Sequence, residues 1–171
     1  VNDMVFFKNK MLASLLALIL LLLDGQISLF FRFLFHGDFV ITSHIMIIFL
    51  LYYTIFFNPY YVFFLSVSLG IIYDFYYLGI YNLAIATILF PSFIVLTIKA
   101  WKHVAPKRLQ CFLIYFVSVS MLDLTSIGLA YLYRLTSYPL SDFITYNLAP
   151  SLIFNMLLFL LLQKQLKKIY L

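Results

Sequence analysis

The chain is predicted to be an all-α membrane protein, a bundle of six transmembrane helices, and three observations predict it. Of its 171 residues 65% are hydrophobic and 10% charged, with a mean hydropathy of +1.08, too little polar surface for a soluble fold of this length. The apolar residues come in long unbroken runs, without the strict alternation of a barrel strand. Three aspartates, Asp24, Asp74 and Asp123, lie inside those runs. A carboxylate at mid-membrane costs about 2.5–3.5 kcal/mol, so each is expected to face protein or water rather than lipid.

The runs set the spans in order. The first covers about Met11–Phe31, after Lys8 and Lys10. No small-residue cleavage site interrupts its end, so it reads as a retained helix and not a cleaved signal peptide. The second covers about Phe39–Phe57 and stops at Asn58-Pro59. The third covers about Tyr60–Leu78 and stops near Gly79, and the fourth runs from about Asn82 to Ile98, ending at Lys99. The fifth covers about Leu109–Tyr133 and the sixth about Phe143–Leu162. Each is near the ~20 residues that cross ~30 Å of hydrocarbon. Very short turns join spans two to four, which makes them antiparallel neighbours. With no linker, low-complexity tract or soluble segment, residues 1–171 read as a single integral membrane domain. Pro91 and Pro150 fall inside spans four and six, where each removes an intrahelical hydrogen bond and is expected to kink its helix.

Charge sets the direction. With six spans, Lys8, Lys10, Lys99, Lys102, Lys107, Arg108, Lys164, Lys167 and Lys168 share one side, and only Arg32 and Arg134 lie opposite. The positive-inside rule then puts both termini in the cytoplasm of a multi-pass protein of the cell membrane. A net charge of +5 therefore reflects topology and gives no reason to expect nucleic acid. Tyr52, Tyr53, Phe56, Phe57, Tyr60 and Tyr61 around the second turn, and Tyr73, Tyr76, Tyr77 and Tyr81 around the third, are expected to form interfacial belts.

Each aspartate lies on an odd-numbered span, about fourteen residues from the start of its span, so the three are expected at similar depth in the outer half. Asp74 and Asp123 are each followed by three residues, a branched aliphatic and a glycine, Gly79 and Gly128; span one offers Asp24-Gly25, with Leu29 beyond. The pattern suggests three related helical hairpins. Ser66, Gly70 and Asp74 share one helix face, Ala13 and Ala17 lie close in angle to Asp24, and Asn147, Ser151 and Asn155 form a second polar stripe. Small residues let helices approach closely in lipid, and polar stripes more often join helices than line a path.

Catalytic signatures are missing. The sequence lacks HExxH, GxSxG, a P-loop and a Gly-rich phosphate loop. His36, His44 and His103 are far apart without metal-ligand spacing, and the single Cys111 excludes an internal disulfide and a cysteine-based metal site. No catalytic residue, metal or cofactor is expected. His44, after Ser43 near the outer end of span two, could reach the acidic layer. The acids themselves have three readings, in order of weight: interhelical hydrogen bonding or pairing with Arg32 and Arg134, contact with a partner protein, and a proton or substrate site.

Leu21-Leu22-Leu23-Asp24-Gly25-Gln26, Ser43-His44 and the stretch from Gly70 through Asp74 to Gly79 and Tyr81 resemble MreD, the rod shape-determining membrane protein family. Length, six spans and a lysine-rich C-terminus are similar to the version found in Firmicutes. The resemblance covers most of the chain, and its most specific element is Gly-x-x-x-Asp-x-x-x-x-Gly from Gly70 to Gly79. It implies a non-enzymatic part of the elongation machinery that directs sidewall, or peripheral, peptidoglycan synthesis. It implies MreC as partner, with the RodA glycosyltransferase and a class B penicillin-binding protein working beside it. The family's bundle looks similar to the substrate-binding subunits of energy-coupling-factor transporters. Such a vitamin-binding subunit is the alternative reading, supported by Ala13-x-x-x-Ala17, which resembles the motif those subunits use to contact their coupling partner. Short outer loops, with little to close over a vitamin, weigh against it. The candidates for intramembrane polar or partner-contact roles are Asp24, Asp74, Asp123, Gly70, Gly79, Ser43, His44, Asn147, Ser151 and Asn155.

Overall fold

A computed structural model describes residues 9–78, 85–103 and 107–170. Among them are six helices, the number expected: α1 Lys10–Leu34, α2 Ile45–Phe56, α3 Pro59–Tyr73, α4 Ile85–His103, α5 Arg108–Leu132 and α6 Leu140–Tyr170. Local chemistry starts several of them. Asn9 Oδ1 accepts the Met11 N–H at 3.0 Å to cap α1, and Asn58 Oδ1 accepts the Tyr60 N–H at 2.9 Å with Pro59 in the first turn of α3. Side-chain caps of this kind satisfy backbone donors that a helix start leaves free. Helices α1 and α5 end alike. His36 and Arg134 take left-handed φ angles of 51° and 55°, and the next residues, Gly37 and Leu135, bond back to Arg32 O and Ala130 O at 3.0 and 2.8 Å, the closure of a Schellman motif.

Helix α2 is the axis of the bundle and packs against all five others. Met46, Ile47, Ile48, Leu50, Leu51, Tyr52, Tyr53 and Thr54 are all buried, which is what a helix apolar on every side requires. At 12 residues it is only about 18 Å long, well short of the membrane core. Span two was expected to be helical from Phe39. Instead residues 40–44 are non-helical, and α2 begins at Ile45. The reason lies in the side chains around that segment, described below.

The end of the bundle where α1 starts is aromatic. Tyr53, Phe57 and Tyr170 pack ring on ring, with centroids 5.3 and 5.5 Å from Tyr53. Tyr53 Oη donates to Ala13 O at 3.1 Å, Tyr61 Oη donates to Lys10 O at 2.6 Å, and Trp101 Nε1–H donates to Thr54 Oγ1 at 2.9 Å. Tyr52, Tyr53 and Phe57 are therefore core residues, not the interfacial anchors expected of them; Phe56 and Tyr60 are exposed. A ring at a span end is interfacial only where no neighbouring helix covers it, and here α1 and the last turn of α6 do.

Helices α1, α5 and α6 are long and apolar enough to cross a membrane, while α2 and residues 85–101 are shorter apolar helices. The outward faces of α1, α3, α5 and α6 carry exposed Leu, Ile, Val and Phe, a surface suited to lipid. Helix α3 continues into a π-helical turn, Asp74–Leu78, and α6 passes through another at Phe143–Leu148. The second sits just before Pro150. Proline has no N–H for the carbonyl four residues back, and that carbonyl, Tyr146 O, instead accepts the Val40 N–H at 3.0 Å.

Candidate functional site

Asp24 and Asp74 serve one purpose in two places. Asp24, on α1, accepts the backbone N–H groups of Ile45 and Met46 at 2.8 and 2.9 Å and the Ser43 hydroxyl at 2.5 Å. Asp74, where α3 ends, accepts the N–H groups of Ala86 and Thr87 at 2.8 and 2.9 Å and the Thr87 hydroxyl at 2.6 Å. Each carboxylate caps the helix that follows its own. It satisfies donors that have no water to turn to, and its negative charge meets the positive end of a helix dipole. The two acids are 7% and 6% exposed. Of the readings open for them, this is interhelical hydrogen bonding. None of Asp24, Asp74 and Asp123 pairs with Arg32 or Arg134; among the described residues the basic side chain that meets one of them is His44, at Asp123.

Asp123 breaks the pattern. Its Oδ1 lies 3.0 Å from His44 Nε2, so His44 does reach the acidic layer. Its Oδ2 is buried without a hydrogen-bond partner. Both capping acids use both oxygens; this one does not. The expectation of three related hairpins thus meets two that are capped alike and a third, α5–α6, in which the acid turns to the start of α2.

Residues 40–44 explain why the chain tolerates non-helical backbone beside the core. Ser151 Oγ accepts the Thr42 N–H at 2.9 Å and donates to Val40 O at 3.2 Å. Asn155 is fully buried. Its Nδ2 donates to Thr42 O and Ser151 O at 2.7 and 2.8 Å, and its Oδ1 accepts the His44 N–H at 2.8 Å. Ser28 Oγ accepts the Ser43 N–H at 3.0 Å, and Tyr115 Oη donates to His44 O at 3.2 Å. Backbone that leaves the helix at membrane depth must find partners in the protein, and here side chains of α1, α5 and α6 supply them.

Of the residues singled out in the sequence, Asp24, Ser43, His44, Asp123, Ser151 and Asn155 meet in this one network around the start of α2. Asp74 caps α4 a hairpin away, beside Gly70. A Cβ added at Gly70 would stand 2.6 Å from Ala86 O and 2.7 Å from Thr87 Cα, so only glycine lets α3 approach the first turn of α4. Asn147 lines a cavity next to the network, with Thr42, His44, Asp123, Ser126 and Ser151. Gly79 lies outside the described residues. Sequence reasoning missed Tyr115, Ser28 and Thr87. Two of them carried a signal: Tyr115 precedes Asp123 by eight residues and Ser28 follows Asp24 by four, spacings that share a helix face.

The cavity holds about 400 Å³ and opens beside α4, α5 and α6. Among the described residues no three His, Cys, Asp or Glu side chains gather closely enough to hold a metal ion.

A family model described as rod shape-determining protein MreD matches residues 7–170, nearly the whole chain. No curated protein and no solved structure matches. The Asp-centred hairpins and the extended entry to α2 thus occur within a match that leaves out only the two ends of the sequence. The chain belongs to the MreD family of rod shape-determining membrane proteins.

Proposed function

We propose that this chain is a non-enzymatic membrane scaffold of the cell-elongation machinery. It binds MreC and, through it, brings RodA and a class B penicillin-binding protein to sites of sidewall peptidoglycan synthesis. The observation that carries this reading is the family match over residues 7–170. The geometry supports it. Asp24, Asp74, Ser151 and Asn155 are occupied in holding the bundle together, and the described connections between helices are short. A partner therefore meets the outward helix faces and the loop tips. In this reading the protein is multi-pass in the bacterial cell membrane, with its basic end and both termini cytoplasmic, and the single membrane helix of MreC docks on the acid-bearing half.

The rival reading, a vitamin-binding subunit of an energy-coupling-factor transporter, depends on Ala13 and Ala17 facing a coupling partner. They are 1% and 0% exposed, within the chain's own core, which leaves them nothing to offer such a partner. Detergent co-purification with MreC, run beside a vitamin-binding assay on the same protein, separates the two. Recovery of MreC without vitamin binding is the expected result. Loss of MreC together with tight binding of a small vitamin overturns the scaffold.

A further inference from the structure

At the basic end of the bundle, α5 begins beside the last turns of α6. Phe112 and Tyr115 of α5 pack on Phe159 of α6, with ring centroids 5.9 and 5.0 Å apart. Tyr52 Oη donates to Gln163 O at 3.4 Å. Arg108 is near enough to act electrostatically on Tyr52, and Lys167 on Cys111. Arg108 and Lys167 therefore flank one seam, between α5 and α6. The end of α6 is pinned there: Leu166 and Tyr170 are buried, and Tyr170 packs on Tyr53. Among the described residues, none of Arg108, Lys164 and Lys167 has an acidic partner. The described acids, Asp24, Asp38, Asp74, Asp123 and Asp142, all lie toward the opposite end. Insertion asks only that basic residues share a side, not that they converge on a seam. Lys164 and Lys167 suit the negative end of the α6 dipole. Lys107 and Arg108 stand at the positive end of α5, whose first turn holds no acid, so their own helix gains nothing from them. Below these charges the seam is hydrocarbon. Leu157, Leu160, Lys164 and Lys167 share one face of α6, and Leu109, Phe112 and Phe116 one face of α5, the face that Phe112 turns to α6. Leu109, Phe116, Leu157 and Leu160 are all exposed.

We propose that this seam binds one anionic phospholipid, its phosphate held by Arg108, Lys164 and Lys167 and an acyl chain laid along Leu109, Phe116, Leu157 and Leu160. Fixed cations without counter-charge adjoin exposed hydrocarbon, and this ligand answers both. An acidic protein segment would match the charges and leave the leucines uncovered; a zwitterionic lipid would cover the leucines and leave the positive charge uncompensated. Basic sites between membrane helices suit phosphate heads, and a guanidinium, charged under all ordinary conditions, grips phosphate through two parallel N–H bonds. The inference does not depend on the scaffold reading, because it concerns this chain alone and survives a failure to capture MreC.

The test is native mass spectrometry of the full chain, purified in detergent and offered phosphatidylglycerol or phosphatidylcholine with matched acyl chains. Phosphatidylglycerol should be retained about tenfold better, in line with one or two basic contacts at a membrane surface. Arg108→Gln combined with Lys167→Gln should bring that ratio close to one. Lys10→Gln combined with Lys99→Gln removes the same charge from α1 and α4 and should leave the ratio within about twofold of the unaltered chain. Inorganic phosphate in large excess should not displace the lipid. Unchanged melting temperatures show that the variants fold; should the Arg108 and Lys167 pair fail that check, Lys164→Gln, at an exposed position, should still lower the ratio about threefold. Equal retention of the two lipids by the unaltered chain overturns the proposal and leaves the basic end to an acidic protein segment. A preference that survives loss of Arg108 and Lys167, or of Lys164 where that variant stands in, overturns it too. So does a preference lost equally in the Lys10 and Lys99 variant, which would trace it to net charge and not to the seam. Displacement by inorganic phosphate overturns the lipid in favour of a free anion.

Discussion

Asp24 and Asp74 show what a membrane carboxylate can do without catalysis or transport. Each holds two backbone N–H groups and a hydroxyl, and in a medium without water each of those donors costs on the order of 1–3 kcal/mol if left unpaired. The burial of these acids followed from the cost of exposing charge to lipid and was legible in the sequence. Their partners were not, because the capped groups are main-chain N–H groups, which every residue type carries. Asp74→Leu should therefore destabilise the bundle by several kcal/mol, roughly the sum of its orphaned donors. Asp38→Leu, at an exposed position between α1 and α2, should stay within about 0.5 kcal/mol of the unaltered protein. Recovery of monodisperse protein in mild detergent, followed by thermal unfolding, compares them. Equal recovery and equal melting temperatures would remove the capping argument.

At the scale of elements, hydropathy located all six helices and misjudged one of them. Residues 39–44 read as membrane helix because a window of Phe, Val and Ile outweighs Thr42, Ser43 and His44. The folded chain leaves them non-helical because Ser151, Asn155 and Ser28 accept their N–H groups. A competition between a helical ladder and side chains of other helices, two of them more than a hundred residues away, is invisible to any local window. The small-residue face of α3 was legible, and it carries its own prediction. Gly70→Ala places a methyl group against the backbone of Ala86 and Thr87, where no flexible side chain can yield. The helices must separate, at about 1–3 kcal/mol. Gly128→Ala meets open space and should gain up to about 1 kcal/mol from helix propensity. Opposite shifts of melting temperature in the two variants are the expected outcome; a neutral Gly70→Ala would mean that α3 and α4 are not held at this spacing.

At the scale of the whole molecule, two ends of different character follow from the same packing. Lys10, Tyr53, Phe57, Tyr61, Trp101 and Tyr170 draw the start of α1, the ends of α2, α4 and α6, and the start of α3 together. Asp24, His44, Asp123, Ser151 and Asn155 gather toward the other end. The lysines and Arg108 that flank the first group hold nearly all the positive charge of the sequence. Positive charge at helix ends is retained on the cytoplasmic side during insertion, whereas the acids carry little weight in that choice. The aromatic, basic end should therefore face the cytoplasm and the His44–Asp123 recess the exterior. Reporter fusions after Lys10, Lys102 and Lys168 should all report cytoplasm, and one placed at Asp38 should report the opposite side. A cytoplasmic signal at Asp38, or an external one at any of the lysines, would break the six-span arrangement.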